Sequence, residues 1–382
     1  MQQLGGAGCQ KRVAGPCFAR VPSASVWWRR IIATFPSATP VFFVSVQHPA
    51  AQNQPLAMIT ADMQAVDGVI RSQLYSDVPL VSQIADYIIS AGGKRIRPAL
   101  VLLTANAWEY RGTEHHKLAA VIEFIHTATL LHDDVVDESD LRRGRRTANA
   151  LFGNAASVLV GDFVYSRAFQ MMVSVNNMRV MQILADATNV IAEGEVLQLM
   201  NMHDPDVTED RYLQVIRSKT AKLFEAATEL GSLIAGAPED AIVAASEYGR
   251  SLGTAFQLID DVLDYSGNAT DIGKNVGDDL REGKPTLPLI YLLQHGSEAQ
   301  RVLVRDCIAQ GDEAHFDEIL SAITQSGALE YTRERAAEAS QRAIEAIEKL
   351  PESSYKDALT ELAVFSVEIG RASCRERVSV VV

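Results

Sequence analysis

The chain has 382 residues, a mass of 41.6 kDa and a formal net charge of −13. Hydrophobic residues make up 47% and charged residues 22%, which excludes wholesale disorder and leaves one large domain or two ordinary ones. An acidic chain of pI about 5.1 is a poor general nucleic-acid binder, so any anionic ligand must be held by local cations or metal ions.

No Asp or Glu precedes Asp62, whereas Lys11, Arg12, Arg20, Arg29 and Arg30 do. Two readings compete for residues 1–57. One is an Arg-bearing, acid-free mitochondrial transit peptide, and the other is sequence upstream of a start at Met58. The four cysteines, Cys9, Cys17, Cys307 and Cys374, form no metal spacing or disulfide framework, which points to a reducing compartment. No run of about 20 uninterrupted apolar residues occurs. Val26–Val46 is broken by Arg29, Arg30, Pro36 and Pro40.

From about residue 60 to 368 the pattern predicts helix after helix. Lys117–Glu138 carries Leu118, Val121, Ile122, Ile125, Leu130 and Leu131 at three- and four-residue spacing. Residues 156–172, 180–200, 221–233 and 241–263 behave likewise. Breakers fall between them, among them Gly112, Gly153, Gly236 with Pro238, and Gly267. His115-His116 is placed in a loop. No strand-like alternation is sustained. The expectation is an all-α single domain of about ten or more helices around a central cavity. The last residues, 369–382, break this pattern and are set apart from the 58–368 domain.

The main chemical signal is a repeated D-D-x-x-D. Asp133, Asp134 and Asp137 form the first cluster, and Asp260, Asp261 and Asp264 the second. Residues four apart share a helix face, so Asp133 projects with Asp137 and Asp260 with Asp264. A single acidic cluster is ordinarily a solvated helix face. Two identical clusters flanked by apolar residues make better sense as ligands for hard cations, which accept carboxylate and phosphate oxygens together. Cations that phosphate needs occur in compact groups. GGKRIRP supplies Lys94, Arg95 and Arg97; LRRGRR supplies Arg142, Arg143, Arg145 and Arg146. SKTAKLFE supplies Lys219, Thr220 and Lys222, and a Gly-punctuated loop supplies Lys274 and Lys284. His126, two helical turns before Asp133, is a candidate phosphate or substrate contact. The dipeptide His132-Asp133 could belong to a metal phosphohydrolase, but that reading needs further metal-binding histidines.

GGKRIRP, HTATLLHDDVVDESDLRRGRRTAN, SKTAKLFE, GTAFQLIDDVLDYSG and GKNVGDDLREGKPTLPL, in this order, resemble the trans-type polyprenyl diphosphate synthases. The resemblance covers about residues 58–368. It implies an isoprenoid-synthase-type helical bundle, usually a homodimer, that uses Mg2+. It implies that Asp133, Asp137 and Asp260 are the main metal ligands, with Asp134, Asp261 and Asp264 as ligands or orienters. Lys94, Arg97, His126 and Arg143 correspond to residues that hold isopentenyl diphosphate. Arg142, Lys219, Thr220, Gln257 and Lys274, with Lys284 as a weaker candidate, correspond to those that contact the allylic diphosphate.

The implied reaction extends an allylic diphosphate, such as farnesyl diphosphate, by successive isopentenyl condensations. Ala128 lies five residues before Asp133, ~7.5 Å along the helix axis. Short-chain members tend to carry an aromatic there. Ala128 and Thr129 therefore imply a long all-trans product, with octaprenyl diphosphate for a quinone side chain as the expected length. A bacterial character of the body favours the upstream-sequence reading of residues 1–57 and a cytoplasmic setting; a real transit peptide would make it mitochondrial. Peripheral membrane contact for product release is part of the same expectation. A class I terpene cyclase shares the fold but lacks the second D-D-x-x-D and an isopentenyl site. A non-catalytic partner subunit would lose carboxylates, and none is lost here.

Overall fold

The computed structural model describes residues 54–90, 92–142, 144–266, 277–311 and 315–372. Residues 1–53, Arg143, Lys274 and the tail from 373 lie outside the described residues, as do Cys9, Cys17 and Cys374.

The described chain is helical almost throughout. The first helices are α1 (Gln54–Ala57), α2 (Thr60–Gln73), α3 (Pro79–Ser90), α4 (Ile96–Ala107) and α5 (Glu114–Val136). A two-residue hairpin follows, β1 (Leu141–Arg142) with β2 (Arg145–Arg146), Arg142 paired with Arg145. Next come α6 (Ala148–Phe152), α7 (Asn154–Ser174), α8 (Met178–Asn201), α9 (Glu209–Ile216), a π-helical segment (Arg217–Ala221), α10 (Lys222–Ile234) and α11 (Glu239–Ser266). The chain continues through α12 (Asp278–Arg281), α13 (Leu287–His295), α14 (Glu298–Gln310), α15 (Phe316–Ser326), α16 (Ala328–Ala346) and α17 (Ser354–Ala372).

These boundaries extend the sequence-read helices by a few residues at most of their ends. They also differ from three expectations. Among the described residues helix is already present at Gln54, upstream of Met58, and Leu56 of α1 packs against the main core. The final helix runs to Ala372, into the segment set apart as a tail. His115-His116 lies in the first turn of α5, because Thr113 precedes it as N-cap and its apolar stripe already begins at the half of that pair which is buried.

Two helices form the centre. In α4, residues Pro98 to Ala105 are all buried. In α5, Leu118, Val121, Ile122, Phe124 and Ile125 are each at most 1% exposed. A helix apolar on most of its circumference can only be an interior one. Each such side chain contributes ~1.5–3 kcal/mol on burial, which favours surrounding these two helices on all sides. Helix α7 packs against α5, α10 packs against α4 and α5, and α11 packs on α10. At the waist of α11, the fully buried Tyr248 donates to Leu359 O at 2.7 Å, joining α11 to α17.

Candidate active site

Helix α5 ends in the first aspartate cluster. The Asp137 amide closes the helix by donating to Asp133 O at 2.8 Å. Three carboxylates at a helix C-terminus face the negative end of its dipole, so this arrangement needs cations. Lys219 Nζ lies 3.9 Å from Asp133 Oδ2 and 2.6 Å from Glu195 Oε2. Lys284 Nζ lies 3.2 Å from Asp137 Oδ2 and also pairs with Glu282. Arg142, turned back by the hairpin, donates to Asp134 Oδ1 through Nε at 2.8 Å and Nη2 at 2.7 Å.

Burial shifts these groups, and their partners oppose it. Burial raises the Asp133 carboxyl, Lys219 pulls it back and Asp137 pushes it up again. Burial likewise raises Asp134 against the pull of Arg142. Glu195 is pushed up to about 7 by burial, with Lys219 opposing and Asp133 reinforcing. Burial by itself would lower Lys284, but Asp137 and Glu282 outweigh it and the ammonium is held above its ordinary range.

Helix α11 carries the second cluster near its C-terminus. Asp260 is partly exposed, while Asp261 and Asp264 are buried. Both Asp261 oxygens are engaged: Oδ2 accepts from Tyr212 Oη at 2.5 Å and Oδ1 from Gln257 Nε2 at 2.9 Å. Burial, then the charge of Asp279, push Asp261 well above the ordinary carboxylate range. The Asp264 carbonyl accepts from Gly277 N at 3.1 Å, and its Oδ2 from Asp279 N at 3.4 Å.

Two bridges bring the clusters to one end of the bundle. Lys219 reaches Asp133, and its neighbour Thr220 donates to Gln257 Oε1 at 2.9 Å, the glutamine that holds Asp261. Lys284 reaches Asp137, and its charge also interacts with Asp279, which borders Asp264. The first bridge depends on the π-helical segment, whose widened turn re-aims Lys219 and Thr220. Glycines on both flanks admit it. A Cβ on Gly194 would meet Lys219 N and Ser218 Cβ at 2.8 Å, and one on Gly253 would meet Ala221 Cα at 2.7 Å.

A second group gathers beside α5. Arg97 Nη1 donates to His126 Nε2 at 3.1 Å, so the neutral ring carries its proton on Nδ1. The Arg97 guanidinium lies 4.5 Å from the centre of the Phe224 ring, and Lys94 Nζ lies 5.2 Å from that of Phe256. The two rings stand 5.7 Å apart. Lys94 and Arg97 thus share an aromatic floor, His126 joins them through Arg97, and Phe256 is adjacent to Gln257.

Other sequence-read residues go elsewhere. Arg95, at φ 50, turns away and pairs with Glu123 at 2.8 Å. His132 faces α7, 3.2 Å from Val158 O and 3.4 Å from Asp162, which gives no support to a phosphohydrolase site. Lys222 pairs with Glu225 on its own helix. Ala128 is 1% exposed within the main core, and Thr129 donates to His126 O at 2.8 Å. A small cavity runs along the next face of α5, lined by Ile70, Leu74, Ile88, Phe124, Thr127 and Leu131. The sequence reading missed Glu195, Tyr212, Asp279 and Glu282. Asp279 and Glu282 had a visible signal, as part of GDDLREGK in the loop already singled out for its lysines.

The polyprenyl synthetase family model matches residues 78–324. The chain belongs to this family. It is 55% identical to the octaprenyl diphosphate synthase of Escherichia coli (strain K12) over 311 residues, 81% of this chain and 96% of the relative. It is 55% identical to that of Haemophilus influenzae over 308 residues, 80% and 94% of the two chains. A crystal structure of a decaprenyl diphosphate synthase from Rhodobacter capsulatus matches with a TM-score of 0.79 and 48% identity, covering 83% of this chain and 98% of that one. A polyprenyl synthase from Caulobacter crescentus CB15, complexed with calcium and isoprenyl diphosphate, matches with a TM-score of 0.80 and 44% identity, covering 84% and 98%. The fold is the isoprenoid-synthase helical fold, and this polyprenyl synthetase is a prenyltransferase acting on isoprenoid diphosphates.

Proposed function

We propose that this polyprenyl synthetase extends farnesyl diphosphate by successive condensation with isopentenyl diphosphate to all-trans octaprenyl diphosphate, the precursor of a quinone side chain. The observation that carries the proposal is the double bridge, Lys219 and Lys284, that draws two aspartate clusters to one end of the bundle beside a cation-rich aromatic floor.

Asp133, Asp137 and Asp260 are the proposed Mg2+ ligands, with Asp264 beside them. Asp134 and Asp261 orient the clusters, since Arg142 holds one and Tyr212 with Gln257 hold the other. Among the described residues neither trio draws three carboxylate oxygens within 4.8 Å of one another. Mg2+ binds through one or two carboxylates and takes its remaining ligands from phosphate and water. Calcium in the Caulobacter crescentus relative is a hard oxygen-seeking cation of the same kind. When bound, Mg2+ supplies neutralisation of the charge that builds on the departing diphosphate.

Lys219, Thr220, Gln257, Lys274 and Lys284, with Arg142, are assigned to the allylic diphosphate. Lys94, Arg97, His126 and Arg143 are assigned to isopentenyl diphosphate. The aromatic floor and the apolar face of α5 keep water from quenching the allylic cation to an alcohol. The isopentenyl double bond attacks that cation, one carbon–carbon bond forms, and the departed diphosphate accepts the proton lost from the adduct. Ala128 and Thr129 are assigned to the chain-length wall.

Leu159, Val196, Leu199 and Met200 expose large apolar side chains on α7 and α8, which supports a homodimer formed through these helices. The catalytic body, residues 58–368 in the sequence reading, starts at α1 in this proposal. It works in the cytoplasm and releases its water-insoluble product at a membrane surface. Feeding purified protein with farnesyl and isopentenyl diphosphates and Mg2+ tests the whole reading. The expected product is the eight-unit chain. Cyclic products from farnesyl diphosphate alone would reveal a cyclase, and absence of turnover a partner subunit.

A further inference from the structure

Far up α5 from the aspartates, a second cluster of ligating side chains has no part in the reaction. It joins Asp62 in the first turn of α2 to His115 and His116 in the first turn of α5. One ligand atom from each lies within 4.8 Å of the others. Asn106 of α4 donates to Asp62 Oδ2 at 2.9 Å, which fixes the carboxylate and leaves Oδ1 facing both imidazoles. His116 Nε2 is 3.0 Å from that oxygen and His115 Nε2 is 3.8 Å from it.

His115 is the unusual member. It is 4% exposed, its Nδ1 makes no hydrogen bond, and its Nε2 faces Asp62 Oδ1 at 3.8 Å. A buried nitrogen left without a hydrogen bond calls for a partner such as an ion or water. The His115 and His116 rings lie 3.9 Å apart between centres, so two imidazolium charges there would repel. Burial, reinforced by His116, holds His115 down at about 4, and its lone pair is available at neutral pH without displacing a proton.

His116 Nε2 and Asp62 Oδ1 are hydrogen-bonded, and the cluster is compact enough for one metal ion to take the place of that proton. Two ligands at ~2.0–2.1 Å on a tetrahedral ion stand ~3.3–3.4 Å apart. The two nitrogen-to-oxygen distances, 3.0 and 3.8 Å, straddle that value. Two imidazoles and one carboxylate carry a single negative charge and favour zinc-like ions over Mg2+. The Asp62 and His116 side chains are 29% and 18% exposed, so water can reach a fourth position.

We propose that Asp62, His115 and His116 form a second metal site, specific for a borderline divalent cation such as Zn2+, that staples α2 to the start of α5. It lies on the helix that presents Asp133 but outside the diphosphate site, so it acts on stability rather than on chemistry.

The test uses the full chain with Co2+ as probe in excess Mg2+, which occupies oxygen-only sites. A single equivalent of Co2+ should give the intense visible absorption of a tetrahedral centre, and Zn2+ should displace it. His116→Ala and, separately, Asp62→Asn should each weaken this binding by at least about tenfold while keeping Mg2+-dependent turnover, which shows that the variants are folded. Zn2+ should also raise the melting temperature of the parent chain more than that of either variant. No tetrahedral spectrum in the parent chain would overturn the proposal. So would a spectrum that both variants retain, or a melting temperature that responds at this cluster to pH but not to Zn2+.

Discussion

Lys284 Nζ lies 3.2 Å from Asp137 Oδ2, an ion pair between the loop that follows the second aspartate cluster and the last residue of the first. Both side chains are mostly buried, at 16% and 13% exposure. Removing one member of such a pair leaves the other charge without compensation, which costs more than the pair itself contributes. Lys284→Ala should therefore lower kcat by about tenfold or more, ~1.4 kcal/mol in the barrier. Steady-state turnover with saturating substrates checks this, and wild-type kcat would detach Lys284 from the diphosphate.

Asp133→Asn and Asp260→Asn keep size and shape but remove charge from each cluster. Each should reduce turnover about 100-fold or more, roughly 2.7 kcal/mol. The asparagine variants should retain the parent melting temperature, because both parent carboxylates sit among other acids. Near-normal rates in either one would remove that aspartate from metal binding.

Ala128→Phe introduces a ring into the buried stretch of α5 before the first cluster. The product ladder should shift to fewer isoprene units at little cost in the first condensation. Radiolabelled product sizing reads this directly, and an unchanged ladder would place the growing chain along another face, such as the Thr127–Leu131 cavity.

Glu195, at about 7 in the fold against 4.5 ordinarily, predicts a pH dependence of stability in metal-free protein. Between these two values the folded state holds the proton that the unfolded state has lost. Stability from this group therefore falls as pH rises from about 4.5 to about 7, and is level above. Glu195→Gln should flatten that segment of the melting-temperature profile. A variant profile with the parent's slope would assign the effect to other groups.

Removing residues 1–53 should leave turnover intact. Extending the deletion to 57 takes away α1, whose Leu56 packs on the main core. The longer truncation should melt about 1–2 °C lower at about 1 kcal/mol lost. Equal melting curves for the two truncations would show that α1 contributes nothing.

What the sequence makes legible here is what repeats or stays local. Helix α5 is readable because Leu118, Val121, Ile122 and Ile125 recur at helical spacing, and D-D-x-x-D is readable because it occurs twice. Lys219 and Thr220 are visible as residues, but their aim is not: it depends on a π-helical turn admitted by Gly194 and Gly253, which lie on two other helices. Glu195 and Tyr212 are invisible for a similar reason, since each meets the clusters only after the helices pack. Arg95 shows the opposite error. Composition groups it with Lys94 and Arg97, yet a left-handed backbone at φ 50 sends it to Glu123. LRRGRR reads as a cation run, whereas it is a hairpin that folds Arg142 onto Asp134.

The most direct check is anomalous diffraction from crystals grown with Mn2+, isopentenyl diphosphate and an unreactive thio-analogue of farnesyl diphosphate. Manganese peaks are expected between the analogue's diphosphate and the carboxylates of Asp133, Asp137 and Asp260. A diphosphate bound without metal at these aspartates, or manganese bound only away from them, would contradict this assignment.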